Sequence, residues 1–212
     1  MNNMSALFAY RKSEAAALET RRFRIRGGSS RLPEAMAAGL RREVRLNQRV
    51  VSLSYDRNGA SVGTEQGESY RAKHVFVSVP FSLLRDVRFE PALPKPLQAA
   101  IETLPYNNIT QVKVGFRSKF WELDGLPPAM FADSTAERVT ATPGQDGTLH
   151  YLNVWIKGTR ASLMDRYDNV EIGQRVVADL ERIRPAARGK LAAAHVHSWG
   201  KYPYSRGAYH FF

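Results

Sequence analysis

The sequence predicts a chain of the α+β / α/β class, a mixed β-sheet with helices. Three observations carry that expectation. Residues 50–55 and 109–117 alternate apolar and polar side chains as half-buried strands do. Residues 74–79 form a short apolar β-branched run of the kind buried in a parallel or mixed sheet. Residues 170–183 place Ile172, Val176, Val177, Leu180 and Ile183 at helical spacing. A chain of 212 residues with 43% hydrophobic content can bury a sizeable core, and its length lies between one large domain and two small ones.

The elements follow in order. Residues 5–20 are rich in Ala, Leu and Glu and predict a helix, ending before a basic run at residues 21–26. After Gly27-Gly28, the spacing of Leu32, Met36 and Leu40 predicts a helix that tolerates Pro33 in its first turn, with Ser29 or Ser30 as cap. Val44 and Leu46 begin an alternation that continues through Val50, Leu53 and Tyr55. Asn58-Gly59 then supplies a hairpin turn, with the return over residues 60–64. A second turn at Gly67 leads to Tyr70, and Pro80 ends the run 74–79.

Pro91, Pro94 and Pro96 mark a linker before a helix over residues 97–104. In the long strand that follows, Thr110, Val112, Val114 and Phe116 lie on one side, and Ile109, Gln111, Lys113, Gly115 and Arg117 on the other. Residues 129–132, 138–142 and 149–156 predict further strands, the last two around a turn at residues 143–147. The helix 170–183 stops before Pro185, and residues 194–199 form a final strand before a loop rich in Gly, Pro and Ser.

The net charge of +11 is concentrated at the N-terminal end, where residues 1–50 hold eleven Lys or Arg against four Glu. These arginines are dispersed over different segments, and no row of aromatic residues interleaves them as single-strand binding favours; the expectation is no nucleic-acid partner. No apolar stretch is long enough to span a bilayer and the first residues lack a signal-peptide plan, so the expectation is a cytoplasmic protein without a membrane partner. The absence of cysteine excludes disulfides, thiol nucleophiles and thiolate metal sites.

Generic chemistry finds little to hold. His195-x-His197 is a pair whose rings point to one face of a strand, but no third ligand accompanies it, so no metal is expected. No Gly-x-Ser-x-Gly elbow, His-Glu-x-x-His or phosphate-binding Gly-x-x-x-x-Gly-Lys is present. Hydrolase and kinase readings have no anchor residues.

An ordered series of short signals remains: Arg26-Gly27-Gly28 with Leu32-Pro33, Arg49-Val50-Val51, the run from His74 to Pro80, Phe120-Trp121, Trp199, and Gly207-Ala208-Tyr209. In this order the chain resembles the middle of a flavin-dependent amine oxidase, over roughly residues 23–212. No Gly-x-Gly-x-x-Gly follows an N-terminal strand, and the sequence given stops at Phe211-Phe212, where the family continues to a second flavin segment.

The resemblance implies part of a two-domain FAD-linked fold. Residues 1–22 would be an N-terminal helix, 23–88 a partial FAD-binding domain, 89–198 a partial substrate-binding domain, and 199–212 the start of a return to the FAD domain. It implies FAD contacts at Arg26, Gly27, Gly28, Val50 (through its main chain), Pro80 and Trp199, and a substrate channel at Tyr204 and Tyr209, with Tyr202 a further candidate. The family pattern has a lysine ten residues before the tryptophan of Phe-Trp, where it holds a water beside the flavin; counting back from Trp121 gives Gln111. Gln111 is therefore the catalytic candidate, able to bind water through its amide but without the charge. Lys113, two residues on, could replace it only with a shift in register.

The implied reaction is oxidation of a small-molecule amine to an imine by hydride transfer to FAD, with reoxidation by dioxygen giving peroxide. The alternative is a catalytically inactive remnant or interaction module with the same scaffold and no flavin. In either case a homo-oligomer or complementary segments would be the partners.

Overall fold

The structure is a computed structural model and describes residues 25–144 and 146–210. The helix expected over residues 5–20 lies outside them. The chain divides into two compact units, one ending at Leu104 and one beginning at Pro105.

The first unit opens on a tight turn closed by the Gly28 amide donating to the Ile25 carbonyl at 3.0 Å. Helix α1 (Arg31–Ala38) follows, as the Leu32, Met36 and Leu40 spacing predicts, but none of its residues is buried. Ser30 takes the N-cap position without a side-chain capping bond, because its backbone is already helical rather than extended. A four-stranded sheet of order β3-β2-β1-β4 is made from β1 (Val50–Asp56), β2 (Gly59–Thr64), β3 (Ser69–Ala72) and β4 (Arg88–Glu90). The β1/β2 hairpin closes at the expected place, with Asp56 opposite Gly59 and the Asp56 carboxylate accepting from the Asn58 amide at 2.7 Å. Strand β4 runs parallel to β1 over Ser52, Leu53 and Ser54. Helices α2 (Phe81–Leu84) and α3 (Lys95–Thr103) flank it, and Arg85 ties them by donating to the carbonyls of Ile101 and Leu104.

Two expectations fail in this unit. Val44 and Leu46 form no strand, and residues 74–79 are neither strand nor buried. Phe76 is 97% exposed. An apolar β-branched run records suitability for burial, whereas a strand exists only where a neighbour completes its ladder. Among the described residues no strand pairs with this run.

The second unit is built on a five-stranded sheet of order β10-β6-β9-β8-β7, antiparallel throughout. Its strands are β6 (Ile109–Phe116), β7 (Met130–Phe131), β8 (Arg138–Ala141), β9 (Leu152–Lys157) and β10 (Leu191–Ser198), and β5 (Tyr106–Asn107) pairs separately with β11 (Tyr209–His210). The predicted strand over residues 149–156 begins only at Leu152. Period-two alternation puts Val112, Val114, Val139, Leu152, Val154 and Ile156 in the core, each almost fully buried. Helix α6 (Asn169–Ile183) covers that face with Ile172, Val176 and Leu180, spaced four apart. Asp168 caps it by accepting from the Glu171 amide at 2.8 Å. Each large apolar side chain so buried stabilises the unit by roughly 2 kcal/mol. Helices α4 (Trp121–Asp124) and α5 (Gly158–Met164) complete the unit; the sequence reading lacked both, whose four and seven residues are too few for a periodic signal.

Candidate cofactor and substrate site

The sheet of the second unit has two unlike faces. Opposite the core, the register places His197, Gln111 and Trp155 side by side across β10, β6 and β9, and His195, Lys113 and Asn153 in the next row. Beside this face the chain leaves β10 and turns back. The turn is pinned by backbone bonds from Trp199 to the Ile109 carbonyl (2.9 Å), from Gly207 to the Trp199 carbonyl (2.8 Å) and from Ala208 to the Asn107 carbonyl (2.9 Å). Gly207 has φ near +139°, and a Cβ there would fall 2.6 Å from Cβ of Tyr106, so the turn needs glycine.

This turn brings Trp199 to Gln111, which is remote in sequence: the indole Nε1 donates to Gln111 Oε1 at 3.0 Å. Trp199 also stands edge-on to His197, with ring centroids 4.6 Å apart, and His197 lies 5.2 Å from Tyr202, which contacts Tyr204 at 5.5 Å. The expected common face of His195 and His197 is observed, their rings stacked at 6.4 Å. Burial, and secondarily the neighbouring His195, hold the His197 pKa below the usual histidine value. Its Nε2 is buried with no hydrogen-bond partner among the described residues, as is Asn153 Oδ1. Among the described residues, no three His, Asp or Glu side chains are grouped to hold a metal ion.

The Lys113 ammonium lies over the Tyr151 ring, 5.1 Å from its centre. Tyr204 is largely exposed. Tyr209 sits in β11, its hydroxyl accepting from Asn107 Nδ2 at 3.2 Å. The structure thus gathers Gln111, Trp199, His197, Tyr202 and Tyr204 in one aromatic and polar cluster. Sequence reasoning named His197 only as half of a metal pair; the strand register puts it on the Gln111 face, and nothing local reported its contact with Trp199.

In the first unit, Arg26 and Gly27 occupy the centre of the opening turn. Gly27 and Gly28 have φ near +83° and +99°, a backbone that only glycine adopts readily, and no atom lies within 4 Å of where a Gly28 Cβ would stand. Val50 starts β1 two residues before β4 joins it, so on that side its backbone has no ladder neighbour among the described residues. Pro80 caps α2, its carbonyl accepting from the Leu83 and Leu84 amides.

Phe120 and Trp121 of the family signal pack within the second unit. Phe120 is fully buried and stands edge-on to Trp121 at 5.2 Å. A residue the sequence reading overlooked, Arg184, lies 5.2 Å above the Phe120 ring and grips Asp124 with two bonds of 2.8 Å. The Asp124 carboxyl is held below the usual range chiefly by that grip.

Comparison with known proteins agrees with this architecture. The chain is 30% identical over 185 residues to polyamine oxidase 4 of Oryza sativa subsp. japonica, covering 83% of this chain and 36% of that protein. It is 24% identical over 214 residues to an L-amino-acid oxidase of Bothrops jararacussu, covering 96% and 43%. Its fold matches an engineered putrescine oxidase (TM-score 0.72, 23% identity, 86% of this chain and 41% of that one) and the cyclohexylamine oxidase of Brevibacterium oxydans IH-35A (TM-score 0.72, 20% identity, 85% and 40%). The chain therefore spans about two fifths of the length of the relatives it matches. A family model for flavin containing amine oxidoreductases matches residues 2–212, and the chain belongs to that family, whose cofactor is FAD.

Proposed function

We propose that this chain is the portion of an FAD-dependent amine oxidase that carries one wall of the substrate cavity and part of the cofactor site. The observation that carries the reading is the Gln111–Trp199 hydrogen bond, which joins the two expected cofactor-side residues of the second unit on one sheet face within a family that uses flavin.

The residues present fit the group. A flavin cofactor approaches backbone closely, and the Gly27-Gly28 turn offers bare backbone with open space beside Gly28. An adenine is held well by a strand's free main-chain groups, which Val50 offers at the entrance of β1. Bound FAD would supply the redox chemistry, accepting a hydride from the carbon next to an amine nitrogen and returning two electrons to dioxygen as hydrogen peroxide. The resulting imine takes up water and gives a carbonyl compound and an amine or ammonia.

The chain's own residues supply orientation and a restricted environment. Gln111 holds a water through its amide where the family pattern has lysine, without adding positive charge. Trp199 and the Tyr202–Tyr204 row supply aromatic surface against which an amine substrate packs, with Tyr209 nearby in sequence. Burial, and secondarily His195, disfavour the charged form of His197, which limits its repulsion of a substrate ammonium. The domain reading, a cofactor part over residues 23–88 and a substrate part over residues 89–198, belongs to the same proposal. Polyamines and amino acids are both substrate classes named among the relatives.

A second reading is favoured by one specific observation, the exposure of Phe76, Val77 and Val79: a non-catalytic module whose apolar run is covered by a partner or another copy. A single titration separates the two. Purified chain is examined for visible flavin absorption and then titrated with FAD by fluorescence. Saturable binding supports the oxidase reading and leads to a screen of amines for peroxide release. No binding overturns a cofactor site in this chain and favours the module.

A further inference from the structure

We propose that Trp199 is a positioning residue for Gln111, holding the amide oxygen so that the NH2 group is the branch turned to an oxygen atom of water or ligand. What that oxygen sits beside rests on the flavin reading above; the pairing itself does not.

The chemistry of the two groups forces the orientation. The oxygen and nitrogen of a glutamine amide look alike in outline, so its orientation follows from its neighbours. An indole N–H is a donor with no acceptor capacity, so the amide atom 3.0 Å from Trp199 Nε1 is the oxygen. The NH2 group is then turned to the other branch of the amide, and among the described residues it donates to no acceptor. Trp199 cannot rotate to release the oxygen at little cost, because its ring is wedged edge-on against His197 and its backbone is tied to Ile109 and Gly207.

The pairing also constrains what position 111 tolerates. A lysine there would set an ammonium, itself a donor without acceptor capacity, against the indole N–H and leave Trp199 Nε1 unpaired. Gln111→Lys is therefore not a simple exchange of one water-holding group for another while Trp199 is present. Glutamate keeps the acceptor, and leucine removes it.

The test is hydrogen exchange of the Trp199 indole N–H in the 15N-labelled full chain, assigned by its absence in Trp199→Phe. Gln111→Leu and Gln111→Lys are expected to speed that exchange about tenfold and move the indole resonance, while Gln111→Glu retains protection. The indole of Trp121, which lies off this row of the sheet, serves as the folding control, since a merely destabilised unit would speed its exchange as well. Equal effects of Glu and Leu, or no effect of Leu, would overturn the pairing. Because this measurement needs no cofactor, FAD titration of the same sample fails or succeeds independently of it: rapid Trp199 exchange in wild type sinks the pairing, and absent FAD binding sinks only the flavin reading.

Discussion

The two units use apolar residues in opposite ways. In the second, helix α6 and the sheet bury Val112, Val114, Leu152, Val154, Ile156, Ile172, Val176 and Leu180 together, and the polar face left over carries the candidate chemistry. In the first, the buried apolar set among the described residues is small, comprising Leu53, Ala60, Leu84 and Ile101, while Met36, Leu46, Phe76 and Val77 face outward. Similar hydrophobic residues thus produce a core in one region and an uncovered surface in the other. The difference lies in partners: a strand or helix face becomes core only when a second layer covers it.

Substitutions sharpen that contrast, and the largest effect belongs to the second unit. Leu180→Ala should lower unfolding free energy by about 3 kcal/mol, because it opens a cavity in a closed core. Denaturant titration checks it, and a loss as small as that of an exposed substitution would mean the core is looser than its packing. Gly173→Ala comes next. Its new Cβ would stand 2.7 Å from the Ala193 Cβ, so despite a better helix propensity it should cost about 1–2 kcal/mol by forcing α6 off β10.

Two titrations follow. Asp124 binds its proton more weakly in the folded chain than unfolded, so its grip on Arg184 stabilises above the ordinary carboxylate pKa of about 3.9 and fades as pH falls through the lower folded value. Asp124→Asn should therefore flatten the acid limb of a stability-pH curve. His197 acts in the same direction at higher pH, since burial disfavours its charged form. Its contribution is fully present above the ordinary histidine pKa of about 6.5 and declines as pH falls through the depressed folded value. NMR titration of the imidazole checks it; a midpoint at or above the ordinary value would remove the effect. The smallest change is expected in the first unit: Phe76→Ser should leave stability within about 0.5 kcal/mol while reducing binding of an apolar dye or self-association.

Legibility in the sequence tracked how local each cause was. The hairpin at Asp56 to Gly59, the apolar spacing along α6 and the alternation along β6 all rest on neighbours within a few residues, and all were readable; the Asp168 cap of α6 was not read from the sequence. The run 74–79 was misread because burial depends on a ladder neighbour that composition does not report. Gln111 was singled out as a candidate through a family pattern, whereas its bond to Trp199 and the edge of His197 depend on a turn that closes through Gly207.

By itself, then, the sequence determined the α+β class, the position and type of its longer elements, the faces of β6 and α6, and membership in a flavin-containing family. Those follow from periodicity, turn residues and motif order, which are properties of short segments. Tertiary structure decided which apolar faces became core, that Arg184 would grip Asp124, and that the indole of Trp199 would meet the amide of Gln111. Those contacts join residues far apart along the chain, and only strand register and the closing turn bring their atoms within bonding distance.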